Sequence, residues 1–379
     1  MTAQLDRERT SAGPASPARR DTSVWRGVAW ALLGVAVFGF IVVAAHNFQT
    51  RGTLTARVAN PNVVGHPRPE TPPLGPNLMT VVQVSTVLML TAVVILFVVN
   101  WRRRPKHPIL LMALACTAIV WMDPIMNWAP YAVYNPLLWH WPDSWPLVSL
   151  SPTVEPFVVF GYVSFYLLPY FPANWILRRL QRTRPPTSFV WRHPLISMGI
   201  LIYVIGFCFD AILEIQSIGT GLYIYSQVIP FGSLFAGKPY QFPLIWESSL
   251  VTLVMIPAGV LLYKDDTGRT QAEKLAMKIR GYDKRPAVTT FVVMFVILML
   301  AYSAYGLGFA AIRWSGKATS VACPYPYPEA KVYDPQGYYA KAGQPGPYLS
   351  GIWNGWESLH SGRPAVATAA QGRCRPTRS

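Results

Sequence analysis

The chain has 379 residues, of which 52% are hydrophobic and only 13% are charged, and its formal net charge is +16. Soluble domains carry roughly 25% charged residues, so this composition excludes an ordinary cytosolic enzyme. It also excludes a disordered chain, which would be far less apolar. The 33 Lys and Arg residues lie between long apolar runs. The basic charge therefore indicates membrane topology and not a nucleic-acid-binding surface.

Seven runs of mainly apolar residues are about 20 residues long, which is the length that a helix needs to cross about 30 Å of hydrocarbon. The runs lie near residues 27–46, 80–100, 108–128, 154–176, 194–215, 243–263 and 287–312. The sequence therefore predicts an all-α polytopic protein of the cell membrane with about seven transmembrane helices. An eighth, partly inserted element between Pro130 and Pro152 is an alternative. The first run is expected to be an uncleaved signal anchor, because its apolar core exceeds that of a cleaved signal.

Basic residues are distributed unequally between the linkers that join these runs. The N-terminal tail and the second, fourth and sixth linkers are rich in Lys and Arg, whereas the third linker has none and the fifth has only Lys238. Linkers rich in Lys and Arg stay on the cytoplasmic side of a membrane. The alternation predicts a cytoplasmic N-terminus and a C-terminus outside.

The chain divides into a helical bundle and two tails. Residues 1–26 are predicted to be a disordered cytoplasmic tail, residues 27–312 the transmembrane bundle, and residues 313–379 an extracytoplasmic tail rich in Pro, Tyr and Gly. That outer tail has too few aliphatic residues for a core of its own. Whether its Cys323 and Cys374 form a disulfide is left open by the sequence. Residues 270–280 have the pattern of a short interfacial helix on the cytoplasmic surface.

Several carboxylates lie within the apolar runs, where an acid costs several kcal/mol unless it is neutralised or paired. Asp123, Asp210, Glu214 and Glu247 are inside predicted spans, and Glu155 is at the edge of one. The predicted orientation places all five in the outer half of the bundle. Asp210 and Glu214 are four residues apart and share a helix face. We therefore expect one cavity in which at least one carboxylic acid is protonated at neutral pH and donates a proton.

The third linker is rich in aromatic residues and contains one imidazole, that of His140. Pro124 and Pro130 are expected to break the preceding helix, which frees backbone groups for a cavity. An aromatic belt at the membrane interface is the alternative interpretation of its tryptophans. The candidate substrate-binding residues in this region and on the fourth run are Asn127, Tyr131, Tyr134, His140, Glu155, Tyr162 and Tyr166.

The sequence gives no indication of a bound cofactor. The predicted spans lack the paired histidines of a b-type haem protein and the Glu-x-x-His pairs of a carboxylate-bridged metal centre. Cys116 and Cys208 lie in the spans as small apolar side chains, and the chain has no Cys-x-x-Cys spacing. A metal held by several carboxylates and His140 is conceivable but is not favoured.

The sequence resembles the AveC-type spirocyclase family over about residues 80–312. The resemblance rests on Trp121-Met122-Asp123-Pro124 through Asn127, on Asn135-Pro136, Trp141-Pro142 and Glu155-Pro156-Phe157, and on Phe209-Asp210-Ala211-Ile212-Leu213-Glu214. It implies a membrane-embedded enzyme of actinobacterial secondary metabolism that cyclises a dihydroxy-ketone polyketide into a spiroketal with loss of water, and in some members also dehydrates it. Many members of the family lie outside such pathways and have no assigned substrate, and the resemblance assigns no catalytic residues.

The intramembrane acids suit that chemistry. Spiroketal formation requires a protonated ketone, an oriented hydroxyl group and the expulsion of water, which calls for one neutral carboxylic acid and one carboxylate in an apolar cavity. Asp210 or Glu214 is the expected acid and the other the base, with Asp123 and Glu247 as orienting groups or as a second acid–base pair. The expected activity is that of a spirocyclase or dehydratase, of the lyase or isomerase type, on a lipophilic small molecule.

Two other classes of function would use the same sequence features. A proton-coupled transporter of a lipophilic metabolite would use the buried acids as a proton relay. A non-catalytic accessory subunit of the membrane would tolerate their replacement. The expected contacts of the protein in each case are the lipid bilayer and a lipophilic small molecule, and not nucleic acid.

Overall fold

The computed structural model describes residues 23–51, 77–126, 132–134, 138–142, 145–148, 156–225, 227–236, 240–314 and 319–320. The predicted disordered tail lies almost entirely outside the described residues, as do Cys323, Cys374 and most of the predicted outer tail. The described part of the chain is mainly helical, with four short strands of two or three residues.

Eleven helices of very different length follow one another along the described part of the chain. The helices are α1 (Ser23–Arg51), α2 (Leu78–Arg103), α3 (Pro108–Ala118), α4 (Asp123–Met126), α5 (Tyr162–Leu167), α6 (Tyr170–Thr183), α7 (Phe189–Arg192), α8 (Pro194–Gly219), α9 (Leu244–Leu262), α10 (Gln271–Met277) and α11 (Pro286–Trp314). Single 3-10 turns cover Ile119–Met122, Phe157–Gly161 and Tyr282–Lys284. The strands are β1 (Ala132–Tyr134), β2 (Tyr223–Tyr225), β3 (Gln227–Val228) and β4 (Thr319–Ser320).

Five of the predicted runs form helices that are long and apolar enough to cross a membrane. They are Leu78–Arg103, Pro108–Met126, Pro194–Gly219, Leu244–Leu262 and Pro286–Ile312. The first run is helical as part of α1, and the apolar part of it that the structure describes is Trp30–His46. The predicted all-helical architecture is thus confirmed, with five helices that could span a membrane by length and composition, whereas seven spans and their orientation stay predictions.

The fourth predicted run does not form one helix. The chain makes a 3-10 turn at Phe157–Gly161, then α5, then α6, with a break at Leu168 and Pro169. Proline has no backbone N–H to continue a helix, which accounts for the break. Helix α6 carries Arg178, Arg179 and Arg182 beside apolar residues, so it is amphipathic and could not be buried in lipid on all sides.

Three linkers rich in Lys and Arg meet at one end of the bundle, which we call the basic end. These linkers are residues 104–107, 184–193 and 263–285. The guanidinium of Arg178 donates to the carbonyl of Lys264 and lies 4.6 Å from the centre of the Tyr263 ring. Gln181 Nε2 donates to the Tyr263 hydroxyl at 3.2 Å. These contacts tie α6 to the end of α9 and give the basic end a fixed structure.

Side-chain caps define where two helices begin at the basic end. The predicted helix in residues 270–280 is confirmed as α10, which starts with a capping box between Thr270 and Glu273. At the start of α3, His107 Nδ1 accepts a hydrogen bond from the backbone N–H of Ile109 at 3.3 Å. Burial, followed by the nearby charge of Lys264, lowers the pKa of His107. The imidazole is therefore neutral at pH 7, the form in which Nδ1 can act as an acceptor.

The opposite end of the bundle, which we call the acid end, is where the chain leaves regular helix. Strands β1 and β2 pair antiparallel with Val133 opposite Ile224, and β3 pairs with β4. Gln241 Nε2 donates to the Tyr225 carbonyl at 2.8 Å, so the segment that leads into α9 is fixed to β2. These connections form a cover over the helix ends.

Helices α8 and α9 approach each other closely where Gly206 faces α9. A Cβ atom at Gly206 would lie 2.8 Å from Met255 Sδ and 2.9 Å from Thr252 Cγ2, and both residues are almost fully buried. The Thr252 hydroxyl is held by the Ser248 carbonyl, so it cannot turn away freely. At Gly199, on the same helix, the nearest atom to a Cβ would be Ile256 Cγ2 at 3.7 Å, an ordinary contact.

We predict that Gly206→Ala destabilises the protein while Gly199→Ala does not. Both substitutions raise helix propensity by the same amount, so the difference in stability between the two variants reports only the packing of α8 on α9. Overpacking of a tight core costs about 1–3 kcal/mol. Thermal unfolding of the two purified variants in detergent should show a melting temperature several degrees lower for Gly206→Ala. Equal melting temperatures would contradict the close approach of the helices.

The orientation of the bundle can be tested by cysteine labelling. In a background without the four native cysteines, we expect Ala236→Cys at the acid end to react with a membrane-impermeant maleimide on intact cells. Thr267→Cys at the basic end should react only after the cells are opened, because basic linkers stay cytoplasmic. Both positions are exposed. Labelling of Thr267→Cys on intact cells would reverse the predicted orientation.

Candidate functional site

The four acids predicted to be catalytic all lie at the acid end. Asp123 begins α4, Asp210 and Glu214 lie one turn apart on α8, and Glu247 is in the first turn of α9. A cavity of about 240 Å³ opens between these helices, and Asp123, Glu214 and Glu247 line it. Asp210 is fully buried and does not belong to the lining. Three of the four acids thus face a common space.

Asp123 is held by a tyrosine of the last helix. The hydroxyl of Tyr302, on α11, donates to Asp123 Oδ1 at 2.8 Å, and both residues are almost fully buried. The hydroxyl of Tyr166, on α5, in turn lies within hydrogen-bonding reach of Tyr302. The rings of Tyr166 and Tyr302 meet edge to face with centroids 5.9 Å apart. Asp123 is therefore fixed at one end of a row of phenol groups.

Glu247 and Glu214 have the same kind of partner. The hydroxyl of Tyr305, one turn after Tyr302 on α11, donates to Glu247 Oε1 at 3.0 Å and to Oε2 at 3.3 Å. The hydroxyl of Tyr225, on β2, donates to Glu214 Oε2 at 2.8 Å. Each acid that lines the cavity thus accepts a hydrogen bond from a phenol, which orients the carboxylate and stabilises a charge on it.

Asp210, Glu214 and Glu247 form a compact cluster. One carboxylate oxygen from each of the three lies within 4.8 Å of the others. Among the described residues that line the cavity, none is Lys or Arg. Three carboxylates this close repel one another when they are ionised, so protons or a cation must reduce the charge of the cluster.

Tyrosines of the cover close the cavity from outside. The lining includes Tyr134 of β1 and both Tyr223 and Tyr225 of β2, and the rings of Tyr134 and Tyr223 lie 5.3 Å apart. Burial, together with the adjacent charge of Glu214, raises the pKa of Tyr223 and Tyr225 well above the usual tyrosine value. Both phenols therefore keep their protons and act as hydrogen-bond donors.

Only some of the predicted substrate-binding residues that the structure describes line the cavity. Tyr134 and Tyr166 line the cavity. His140 does not belong to the lining, and its Nδ1 lies 2.8 Å from the Trp141 carbonyl while its backbone pairs with Pro156. The remaining candidates lie outside the described residues or, for Tyr162, have a side chain outside them: Asn127, Tyr131, Glu155 and Tyr162.

The tyrosines that hold the acids were not identified from the sequence. Tyr302 and Tyr305 are three residues apart in an apolar run, and Tyr223 and Tyr225 alternate in a short strand. Their spacing places each pair on one face, which was a usable signal. However, a tyrosine in a membrane helix is commonly an interface or core residue, so only the position of the acids shows their role.

Comparison with known proteins assigns the chain to a family. The sequence profile of a family described as "Spirocyclase AveC-like" matches residues 101–333. This match covers more than half of the chain and all four acids that were predicted to be catalytic. No curated protein and no solved structure matches the chain significantly. The chain belongs to the AveC-like spirocyclase family.

Proposed function

We propose that this protein is a membrane-embedded acid/base enzyme that cyclises a lipophilic, polyketide-like or lipid-like substrate with loss of water. The observation that carries this proposal is the cavity at the acid end, in which three carboxylic acids face one space and each accepts a hydrogen bond from a tyrosine. Membership of the family supports a cyclase-type activity.

The cavity offers the two kinds of group that spiroketal formation needs. A carboxylic acid gives its proton to the ketone oxygen while a carboxylate accepts the proton of the attacking hydroxyl group, and a hemiketal forms. Protonation of the hemiketal hydroxyl then releases water, and the second hydroxyl group closes the other ring and loses its proton. The net reaction converts a dihydroxy ketone into a spiroketal and one water molecule.

The structure suggests how these roles are divided. Asp210 is outside the cavity lining, so the acid is Asp123 and not Asp210. The hydroxyl groups of Tyr302 and Tyr166 form a chain that can return a proton to Asp123. The base is then a carboxylate of the cluster that lines the cavity, Glu214 or Glu247. This division separates the proton donor from the proton acceptor on different helices.

The apolar part of the cavity would position the chain of the substrate. Val158, Val159, Phe165 and Leu213 contribute to the lining together with the aromatic cover. Exclusion of water from such a pocket strengthens the electrostatic effect of the acids and prevents water from reopening the ring. A substrate that is itself lipophilic would enter from the bilayer and not from the aqueous phase.

We predict that Asp123→Asn strongly reduces product formation. Removal of a general acid typically costs about 10²–10⁴-fold in rate. Extracts of a deletion strain complemented with Asp123→Asn should accumulate a compound heavier than the wild-type product by one water, about 18 Da, as measured by mass spectrometry. Asp266→Asn, an exposed position at the basic end, is the matched control and should behave as wild type.

The same experiment separates the other classes of function. If an unchanged compound only moves between cells and medium, the protein is a transporter. If Asp123→Asn restores the wild-type metabolite pattern completely, the acid has no role in chemistry, as expected of an accessory subunit. Either result would contradict the proposed enzyme.

We also predict that Tyr302→Phe lowers product formation by about 10-fold to 100-fold. As Asp123 gives up its proton it becomes a carboxylate, and a hydrogen bond to a charged group contributes about 1.5–3 kcal/mol. The phenylalanine keeps the ring packing and removes only the hydroxyl that holds Asp123. Tyr240→Phe, at a half-exposed position away from the cavity lining, is the control. Product ratios by mass spectrometry in the complemented strains measure the effect, and equal ratios would argue against a role for the phenol chain.

A further inference from the structure

The cluster of Asp210, Glu214 and Glu247 has the composition of a cation site. Its oxygens come from two helices that pack directly against each other, α8 and α9, and lie within 4.8 Å of one another. Asp210 and Glu214 are on the same face of α8 because they are one turn apart. The rigid packing of α8 on α9 at Gly206 therefore also fixes the spacing of the three carboxylates.

Two unpartnered polar groups point to a missing ligand. Asp210 is fully buried, and neither of its carboxylate oxygens has a hydrogen-bond partner within the described part of the chain. The Ser248 hydroxyl, also fully buried, lies beside Asp210, but the two groups do not reach hydrogen-bonding geometry, and no other residue that the structure describes bonds to either side chain. Buried polar groups are nearly always hydrogen-bonded or bound to an ion. These two groups belong to the same cluster, so one ligand could satisfy both.

The described basic side chains cannot supply the compensating charge. All Lys and Arg side chains that the structure describes belong to the basic end, at the other end of the bundle. The tyrosines that contact Glu214 and Glu247 are neutral donors. Three acids in an apolar environment thus have hydrogen bonds but no positive charge among these side chains.

We propose that Asp210, Glu214 and Glu247 bind one divalent cation that prefers oxygen ligands, such as Ca²⁺ or Mn²⁺, with the Ser248 hydroxyl as a further ligand. Hard cations of this kind take carboxylate and hydroxyl oxygens. Two oxygens on opposite sides of a Ca²⁺ ion are about 4.6–5.2 Å apart, twice the usual bond length. The spacing in the cluster fits that limit, whereas the absence of His and Cys from it disfavours Zn²⁺.

The tyrosines would then act as the outer shell of the site. Tyr225 and Tyr305 donate to Glu214 and Glu247, as residues around a metal site commonly do to orient its ligands. Both glutamates line the cavity, so an open coordination position would face the substrate. In a role that rests on the proposed function, such a cation would supply positive charge beside the substrate oxygen at which negative charge develops.

Terbium luminescence tests the site directly in the full-length protein purified in detergent and treated with a chelator. Tb³⁺ replaces Ca²⁺ in oxygen sites and emits when nearby tyrosines are excited. We expect one saturable Tb³⁺ site per chain in the wild type, with displacement by Ca²⁺ or Mn²⁺. Asp210→Asn should weaken Tb³⁺ binding at least 10-fold, whereas Asp123→Asn, in the same cavity but outside the cluster, should bind as wild type.

Two further variants keep the test decisive if Asp210→Asn does not fold. Glu214 is less buried than Asp210, and Glu214→Gln should weaken Tb³⁺ binding similarly. Glu273→Gln, at the basic end, is its control and should bind Tb³⁺ as the wild type does. The absence of saturable Tb³⁺ binding to the wild type would overturn the proposal and would mean that protons neutralise the cluster. If the Asp210→Asn and Glu214→Gln variants both bind Tb³⁺ as tightly as the wild type does, the proposal is also overturned.

The experiments distinguish a failure of the cation-site proposal from a failure of the proposed acid/base reaction. If the wild type binds no cation but Asp123→Asn still abolishes product, the cation site fails and the proposed function stands. If the cation binds as expected while Asp123→Asn leaves the product unchanged, the cation site stands and the acid/base role fails.

Discussion

Burial of carboxylic acids within an apolar helix bundle is the constraint on which this structure depends. Asp123, Asp210 and Glu247 are almost completely removed from solvent, and an acid in such a place is tolerated only with compensating contacts. The compensation comes mainly from tyrosines, which supply an apolar ring to the core and a hydroxyl to the acid. Helix α11 contributes two of these tyrosines, and its position against α3 and α9 is therefore tied to the acids.

The same constraint accounts for the unequal regularity of the two ends of the bundle. At the basic end, Lys and Arg reach water and short caps suffice to begin each helix, as Thr270 and Glu273 show for α10. At the acid end, the chain leaves helix for 3-10 turns and short strands. Buried backbone groups outside regular helix need other hydrogen-bond partners, and the pairing of β1 with β2 supplies them while it brings Tyr134, Tyr223 and Tyr225 over the cavity.

A cavity built in this way suits chemistry on a lipophilic molecule. Its walls are largely apolar and aromatic, while its polar groups are concentrated in three carboxylates of fixed orientation. Proton transfer needs groups that are both held in place and shielded from water, since a solvated carboxylate is a weaker and less selective catalyst.

The sequence by itself determined the membrane class, five of the helices and the family. Apolar run length and the alternation of basic linkers depend on local composition, which is readable without a fold. It also identified the acids, because a charge in an apolar run is conspicuous. Only the tertiary structure decided which acids share a space, that Asp210 lies outside the cavity lining, and that Tyr302, Tyr305 and Tyr225 hold the carboxylates. These facts depend on contacts between residues far apart in the chain, and helix packing, not local composition, fixes them.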